Sequence, residues 1–180
     1  YEKMNIRILN ISVGMLASAR REEQEELLAA IEAVWDAGIV VVAAAGNNGP
    51  KDKSITIPGL CRKIITVGSS DDEEGEVKNL GLMRGYSGRG PTEACIMKPE
   101  VVAPGTAIVS CKRMGNGYEM KSGTSMATPV VAGAVAVLLS RYSNLKPAEV
   151  KLRLYETSVD TGKSKHAQGW GRLDVMQLIR

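Results

Sequence analysis

Hydrophobic positions along the chain switch between two periods. Ile6 to Val13 is β-branched and mostly apolar and stops at Gly14, which predicts a buried strand. From Glu22 to Ala37 the residues Leu27, Leu28, Ile31, Val34 and Trp35 return at helical spacing, four glutamates crowd the start, and Gly38 follows the end. That pattern predicts an amphipathic helix. Ile39 to Ala45 and Ile64 to Val67 predict two further buried strands. Val130 to Leu139 carries no charge and includes Ala132, Gly133, Ala134 and Ala136, so it predicts a helix packed on every face. Pro129 fits the first turn of that helix, which places Ser125 near its N-terminus. Pro147 to Thr157 predicts a polar-faced helix with Val150, Leu152 and Leu154 turned inward.

Strand, helix and strand in succession imply right-handed parallel crossovers, hence an α/β fold with a mostly parallel sheet and helices on both faces. Composition agrees with this. Phenylalanine is absent and aromatic residues make up 4%, so valine, isoleucine, leucine and alanine must build the core. The length of 180 residues predicts one domain spanning 1–180.

Charge narrows the choice of partners. The net charge is +3 with no basic run, which gives no footprint for nucleic acid or an anionic membrane and favours soluble substrates. The apolar run Met126 to Leu139 is shorter than the roughly 20 residues a membrane span needs. Cys61, Cys95 and Cys111 have neither metal-ligand spacing nor an even count, and read as core or half-exposed thiols. Asp71 to Glu76 lacks the alternating ligands of a calcium loop and reads as a solvated turn, so no metal or other cofactor is expected. Asn10-Ile11-Ser12 is a glycosylation sequon, expected to be unused inside a buried strand.

Ligands of parallel sheets bind beyond the carboxyl ends of the strands. Two loops fall there: Ser12-Val13-Gly14 and Ala44-Ala45-Gly46-Asn47-Asn48-Gly49. The second lacks G-x-G-x-x-G and runs into Pro50-Lys51-Asp52 instead of a helix, which argues against a dinucleotide site. A third candidate is Ser122-Gly123-Thr124-Ser125, where helix amides and the positive dipole end favour anions. Ser125 there is either a helix cap or a nucleophile whose oxyanion the amides stabilise.

Gly-Thr-Ser-Met-Ala-Thr-Pro followed by Val-Ala-Gly resembles the nucleophile motif of the subtilisin-like serine proteases, with Ser125 in the nucleophile position and Val130 where the family usually has histidine. Ala44-Ala45-Gly46-Asn47 resembles the family's oxyanion-hole segment, and Asn47 falls at its asparagine. Asn10 to Gly14, Arg89 to Thr92, Lys98 to Gly105 and Gly169 to Ile179 follow the family's course, so the resemblance covers nearly the whole chain. It implies a three-layer fold and an acyl-enzyme peptidase without a cofactor. It also implies that Ser12 to Gly14 and Ala44 to Gly46 flank an extended peptide or protein substrate, with Asn48 and Thr56 in the primary pocket and Thr124 beside the nucleophile.

Peptide cleavage needs a base and an orienting acid, which this family carries upstream of the serine. The single histidine, His166, follows it, and no Asp-Thr-Gly or His-Gly-Thr occurs. A start in mid-element at Tyr1 implies a C-terminal portion whose acid and base lie in a missing N-terminal part. Such a piece would be inactive alone and prone to self-association through Ile6 to Val13. A non-catalytic, peptide-binding relative is the alternative. The order Ser125, Asp160, His166 also fits an α/β-hydrolase, if Tyr118 to Lys121 is the strand before the nucleophile.

Overall fold

The structure, a computed structural model, describes residues 4–15, 21–73 and 84–180. In chain order the elements are β1 (Ile8–Ile11), α1 (Arg21–Asp36), β2 (Val40–Ala44), β3 (Ile65–Ser69), β4 (Val101–Ala103), β5 (Ile108–Cys111), β6 (Tyr118–Lys121), α2 (Thr124–Arg141), α3 (Pro147–Thr157), α4 (Lys165–Gln168) and α5 (Val175–Leu178). The first four strands form a parallel sheet in the order β1-β2-β3-β4. Parallel strands buried on both faces read as continuous apolar runs. Accordingly every residue of β2, β3 and β4 is buried, and the architecture is a three-layer α/β fold.

α2 lies across the sheet and touches all four strands. Its buried residues Thr124, Ala127, Val131, Ala134, Val135 and Leu138 recur every three or four positions, one stripe of a helix. The opposite stripe is open: Pro129, Val130, Gly133, Ala136 and Val137 are exposed, so the expectation of a helix packed all round holds for one face only. Nor does Pro129 sit in the first turn. The helix begins at Thr124, five residues earlier, and Pro129 lies inside it.

The expected strand at Ile6 to Val13 is confined to Ile8–Ile11; it pairs with β2 and forms the sheet edge that self-association through it presupposes, and it is half-buried, not buried. Ile8 and Ile11 pack on the core while Leu9 and Asn10 are exposed. Burial therefore does not shield the sequon. Asn10 Nδ2 donates to Ser12 Oγ at 2.9 Å. In α3, Val150 and Leu154 are buried as expected, but Leu152 is 55% exposed. Two residues on from Val150 is about 200° round a helix, so the three side chains cannot share a face.

The 71–76 segment is less solvated than its charge implies, as far as residue 73, where the described residues stop. Asp71 Oδ1 accepts from Gly105 N–H (2.9 Å), Thr106 N–H (3.1 Å) and Ser69 Oγ (2.8 Å). Asp72 is buried, accepts from Ser87 N–H and lies 3.3 Å from Lys163 Nζ. Both carboxylates are thereby occupied in holding the turns that follow β3 and β4.

Leu138→Ala should cost about 2–5 kcal/mol by opening a cavity beneath the sheet. Leu152→Ala should stay within about 0.5 kcal/mol. Urea unfolding of the two variants checks the assignment, and equal losses would place Leu152 in the core after all.

Candidate active site

The site is assembled where the carboxyl end of β2 meets the start of α2. Gly123 precedes the helix at φ 145°, and a Cβ there would lie 3.0 Å from Asn47 Nδ2 and 3.1 Å from Met126 Cε. Glycine has no side chain to cap with, so the cap comes from elsewhere. Asn47 Oδ1 accepts from Thr124 N–H at 2.9 Å and from Thr124 Oγ1 at 3.1 Å. Thr124 Oγ1 in turn accepts from Gly46 N–H at 3.1 Å. Because Thr124 N–H can only donate, the Asn47 amide is oriented with its oxygen toward the helix and its Nδ2 hydrogens free to point elsewhere.

Ser125 is the second residue of α2. Its Oγ donates to Ser12 O at 2.7 Å, and its N–H takes no partner among the described residues. Ser125, with a free first-turn amide, and Asn47, with an NH2 group unengaged among the described residues, line one cavity. Two directional donors at a helix N-terminus suit an oxygen that gains negative charge during reaction.

A cavity of about 290 Å³ opens next to this serine, lined by Gly14, Ala44, Gly46, Asn47, Asn48, Thr56, Thr124 and Ser125. Eight of the eleven residues singled out from the sequence therefore meet there. Ser12 touches the site through its carbonyl, and Val13 is exposed on the adjoining segment. Ala45 differs: its N–H donates to Val67 O and its oxygen accepts from Thr56 N–H, both at 2.9 Å. It has no unused N–H with which to pair a peptide.

Thr56, expected as a pocket residue, is also a wedge between the two flanking segments. A Cβ on Gly14 would lie 2.3 Å from Thr56 Oγ1, and one on Gly46 2.5 Å from both Thr56 Cγ2 and Oγ1. Those two glycines are required by Thr56 itself. On the other side of Ser125 a second cavity, about 270 Å³, is lined by residues of the β5–β6 hairpin together with Met126 and Pro129. Nothing in the motif pattern marks this wall, whose residues Cys111, Glu119 and Lys121 come from a hairpin with weak periodicity.

The α/β-hydrolase order is not assembled. His166 Nδ1 lies 3.0 Å from Asp52 Oδ2, while Asp160 is held by Lys165, Gly162 N–H and Gln168, contacts that keep its carboxyl far below the usual range. β6 belongs to a separate antiparallel pair with β5, not to the central sheet that such a nucleophile turn requires. Among the described residues no three His, Cys, Asp or Glu side chains converge as a metal site.

A parallel sheet, a serine at a helix start and an asparagine from the loop after β2 form the arrangement that the motifs of the subtilisin-like class imply. The chain belongs to the subtilase family, whose model matches residues 1–171. It is 38% identical to the serine protease AprX of Bacillus subtilis over 180 residues, covering 92% of this chain and 40% of that protein. With subtilisin DY of Bacillus licheniformis the identity is 34%, covering 93% of this chain and 55% of the relative. The solved structure of the prenylagaramide maturation protease PagA superposes with a TM-score of 0.75 at 25% identity, covering 99% of this chain and 62% of that one. The chain thus spans between two fifths and two thirds of the length of these relatives.

Gly123→Ala should lower stability by about 1–3 kcal/mol, because the backbone is held at φ 145° against Asn47. Denaturant unfolding measures this, and an unchanged midpoint would show that the turn relaxes freely.

Proposed function

We propose that residues 1–180 are the C-terminal portion of one subtilisin-like peptidase domain and act in serine-type endopeptidase chemistry. Ser125 Oγ attacks the scissile carbonyl, its proton passes to a base, and the oxyanion is held by Asn47 Nδ2 and Ser125 N–H. Collapse expels the amine, which takes a proton from that base, and water then hydrolyses the acyl-enzyme by the same route in reverse. Ser12 to Gly14 and Ala44 to Gly46 flank the extended peptide, Asn48 and Thr56 shape the primary pocket, and Thr124 holds Asn47 in place. The observation carrying this reading is the Asn47 Oδ1 to Thr124 N–H bond, which leaves the amide donor available beside the serine.

The base and its acid are assigned to a preceding N-terminal part. In the 180-residue chain, the Ser125 hydroxyl is turned onto Ser12 O and His166 is engaged with Asp52. The same two contacts favour the second reading, a pseudoprotease that binds peptides without cutting. In the full-length protein, Asn47→Ala should lower kcat by about 100 to 1,000-fold with little change in KM, a magnitude that belongs to subtilisin, a relative of this chain, on removal of its oxyanion-hole asparagine. The 180-residue chain alone should be almost inert. A rise in KM at constant kcat removes Asn47 from the oxyanion site, and peptide binding without turnover by the full-length protein establishes the binding module.

Among the described residues β1 is paired on one side only, and that edge carries the proposal of self-association through Ile6 to Val13. Arg7 would be the charged residue guarding that edge, but its guanidinium donates to Ser143 O (2.7 Å) and Leu145 O (2.9 Å) and is drawn back onto the molecule. An unpaired apolar edge is a template for another strand. Sedimentation of the 180-residue chain should give concentration-dependent dimers that Leu9→Lys weakens; a monomer at all concentrations would sink this proposal.

A further inference from the structure

Far from Ser125 in sequence, before β4, a lysine is buried completely. Lys98 is 0% exposed and donates to Glu100 Oε1 (2.7 Å), Ile64 O (3.1 Å) and Thr66 Oγ1 (3.0 Å). Glu100 is itself buried and accepts from Thr66 N–H (2.8 Å) and from Lys151 Nζ of α3 (2.8 Å). A buried charge costs several kcal/mol unless fully bonded, and a hydrophobic residue of similar volume could fill this site without that cost. Here every hydrogen of the ammonium finds an acceptor.

The hydrogen bonds lead to the pocket. Thr66 Oγ1, accepting from Lys98, donates to Gly59 O at 2.7 Å. Gly59 is wedged in turn: a Cβ there would lie 3.0 Å from Ala44 O and 3.0 Å from Thr56 O. Thr56 packs between Gly14 and Gly46, where an added Cβ would meet its side chain at 2.3 and 2.5 Å. Gly59 thus packs directly against the backbone of Thr56 and Ala44, so a shift at Gly59 bears on the segment that carries the pocket wall.

We propose that Lys98, acting through Thr66 and Gly59, is a positioning residue that sets the place of Thr56 and thereby the size discrimination of the primary pocket. The inference rests on the pocket reading given above. Lys98 faces Glu100 on its own segment, Lys151 from α3 and Cys61 from the turn before β3; beyond Cys61 lie Glu32 of α1 and Lys63. Burial drives its ammonium down to about 8, with Glu100 opposing the fall and Lys151 adding to it. Above that pH the amine has two hydrogens for three acceptor groups, and one link of the relay is released.

The test uses the full-length protease and two peptides that differ only at the residue entering the pocket, one with a side chain fitted to it and one with glycine. The ratio of their kcat/KM values cancels titration of the catalytic base. Lys98→Met should reduce this ratio about tenfold or more while the glycine peptide keeps its kcat, since sub-ångström misplacement is enough to cost that much. In the wild type the ratio should fall between pH 7 and 9 and be flat in Lys98→Met. Leu154→Ala, a buried change in α3, should lower stability and leave the ratio alone. If Thr56→Val shifts the ratio and Lys98→Met does not, the relay is wrong and the pocket stands; if neither shifts it, the pocket assignment fails first. An equal loss in Leu154→Ala means general loosening and overturns the proposal. Should Lys98→Met fail to fold, the wild-type pH series decides, and a flat ratio refutes it.

Discussion

The contact on which the site depends is the acceptance of the Thr124 amide by the Asn47 side chain. A helix start leaves four N–H groups without helical partners. Here the preceding residue is a glycine that has nothing to offer them, and the cap is supplied across 77 positions of sequence by a residue at the end of β2. One bond therefore does three things: it satisfies a first-turn amide, ties the start of α2 to the loop after β2, and fixes which way the Asn47 amide is turned. A local cap at position 123 would satisfy the helix equally well. It would leave Asn47 without a fixed orientation.

The site is consequently a product of tertiary structure and not of either loop alone. Ser125 sits in place because α2 rests on all four parallel strands, and Asn47 because β2 is buried from end to end. Gly46 N–H, held by the Thr124 hydroxyl, closes the junction from the third side. Buried parallel strands supply rigidity where the chemistry requires fixed donors, and the polar groups they carry are paired before any ligand arrives.

Much of this is legible in the sequence. The long period-3.6 run in α1 and the valine-rich β2 are strong local signals that correspond to elements within one or two residues, and the motif around Ser125 marks a helix start although the helix begins five residues before Pro129. Sequence and structure diverge where local pattern and tertiary context part company. Ile6 to Val13 is apolar enough for a central strand, yet nothing in its composition tells whether a neighbour lies on one side or both. Apolar residues along α2 mark it as buried, but which stripe meets the sheet depends on partners elsewhere. Leu152 follows a strand-like i, i+2 spacing inside a helix, and the helical period turns it outward. β6 is legible as the short strand Tyr118 to Lys121, but its pairing with β5 and the Thr56 wedge leave no trace in the pattern, since a pairing and a wedge are defined only by what stands on either side.

The wedge has a consequence for how this pocket can change. Gly14, Gly46 and Thr56 come from three separate segments, but the space one occupies is the space the other two forgo. Enlarging either glycine alone meets the threonine, and enlarging the threonine meets both glycines. Variation at these positions is therefore coupled: a larger residue at 14 or 46 becomes acceptable only once 56 has become smaller, so the order of the steps matters. A library that randomises the three together reaches such compensated pockets in one step, whereas scanning each position in the wild-type background misses them.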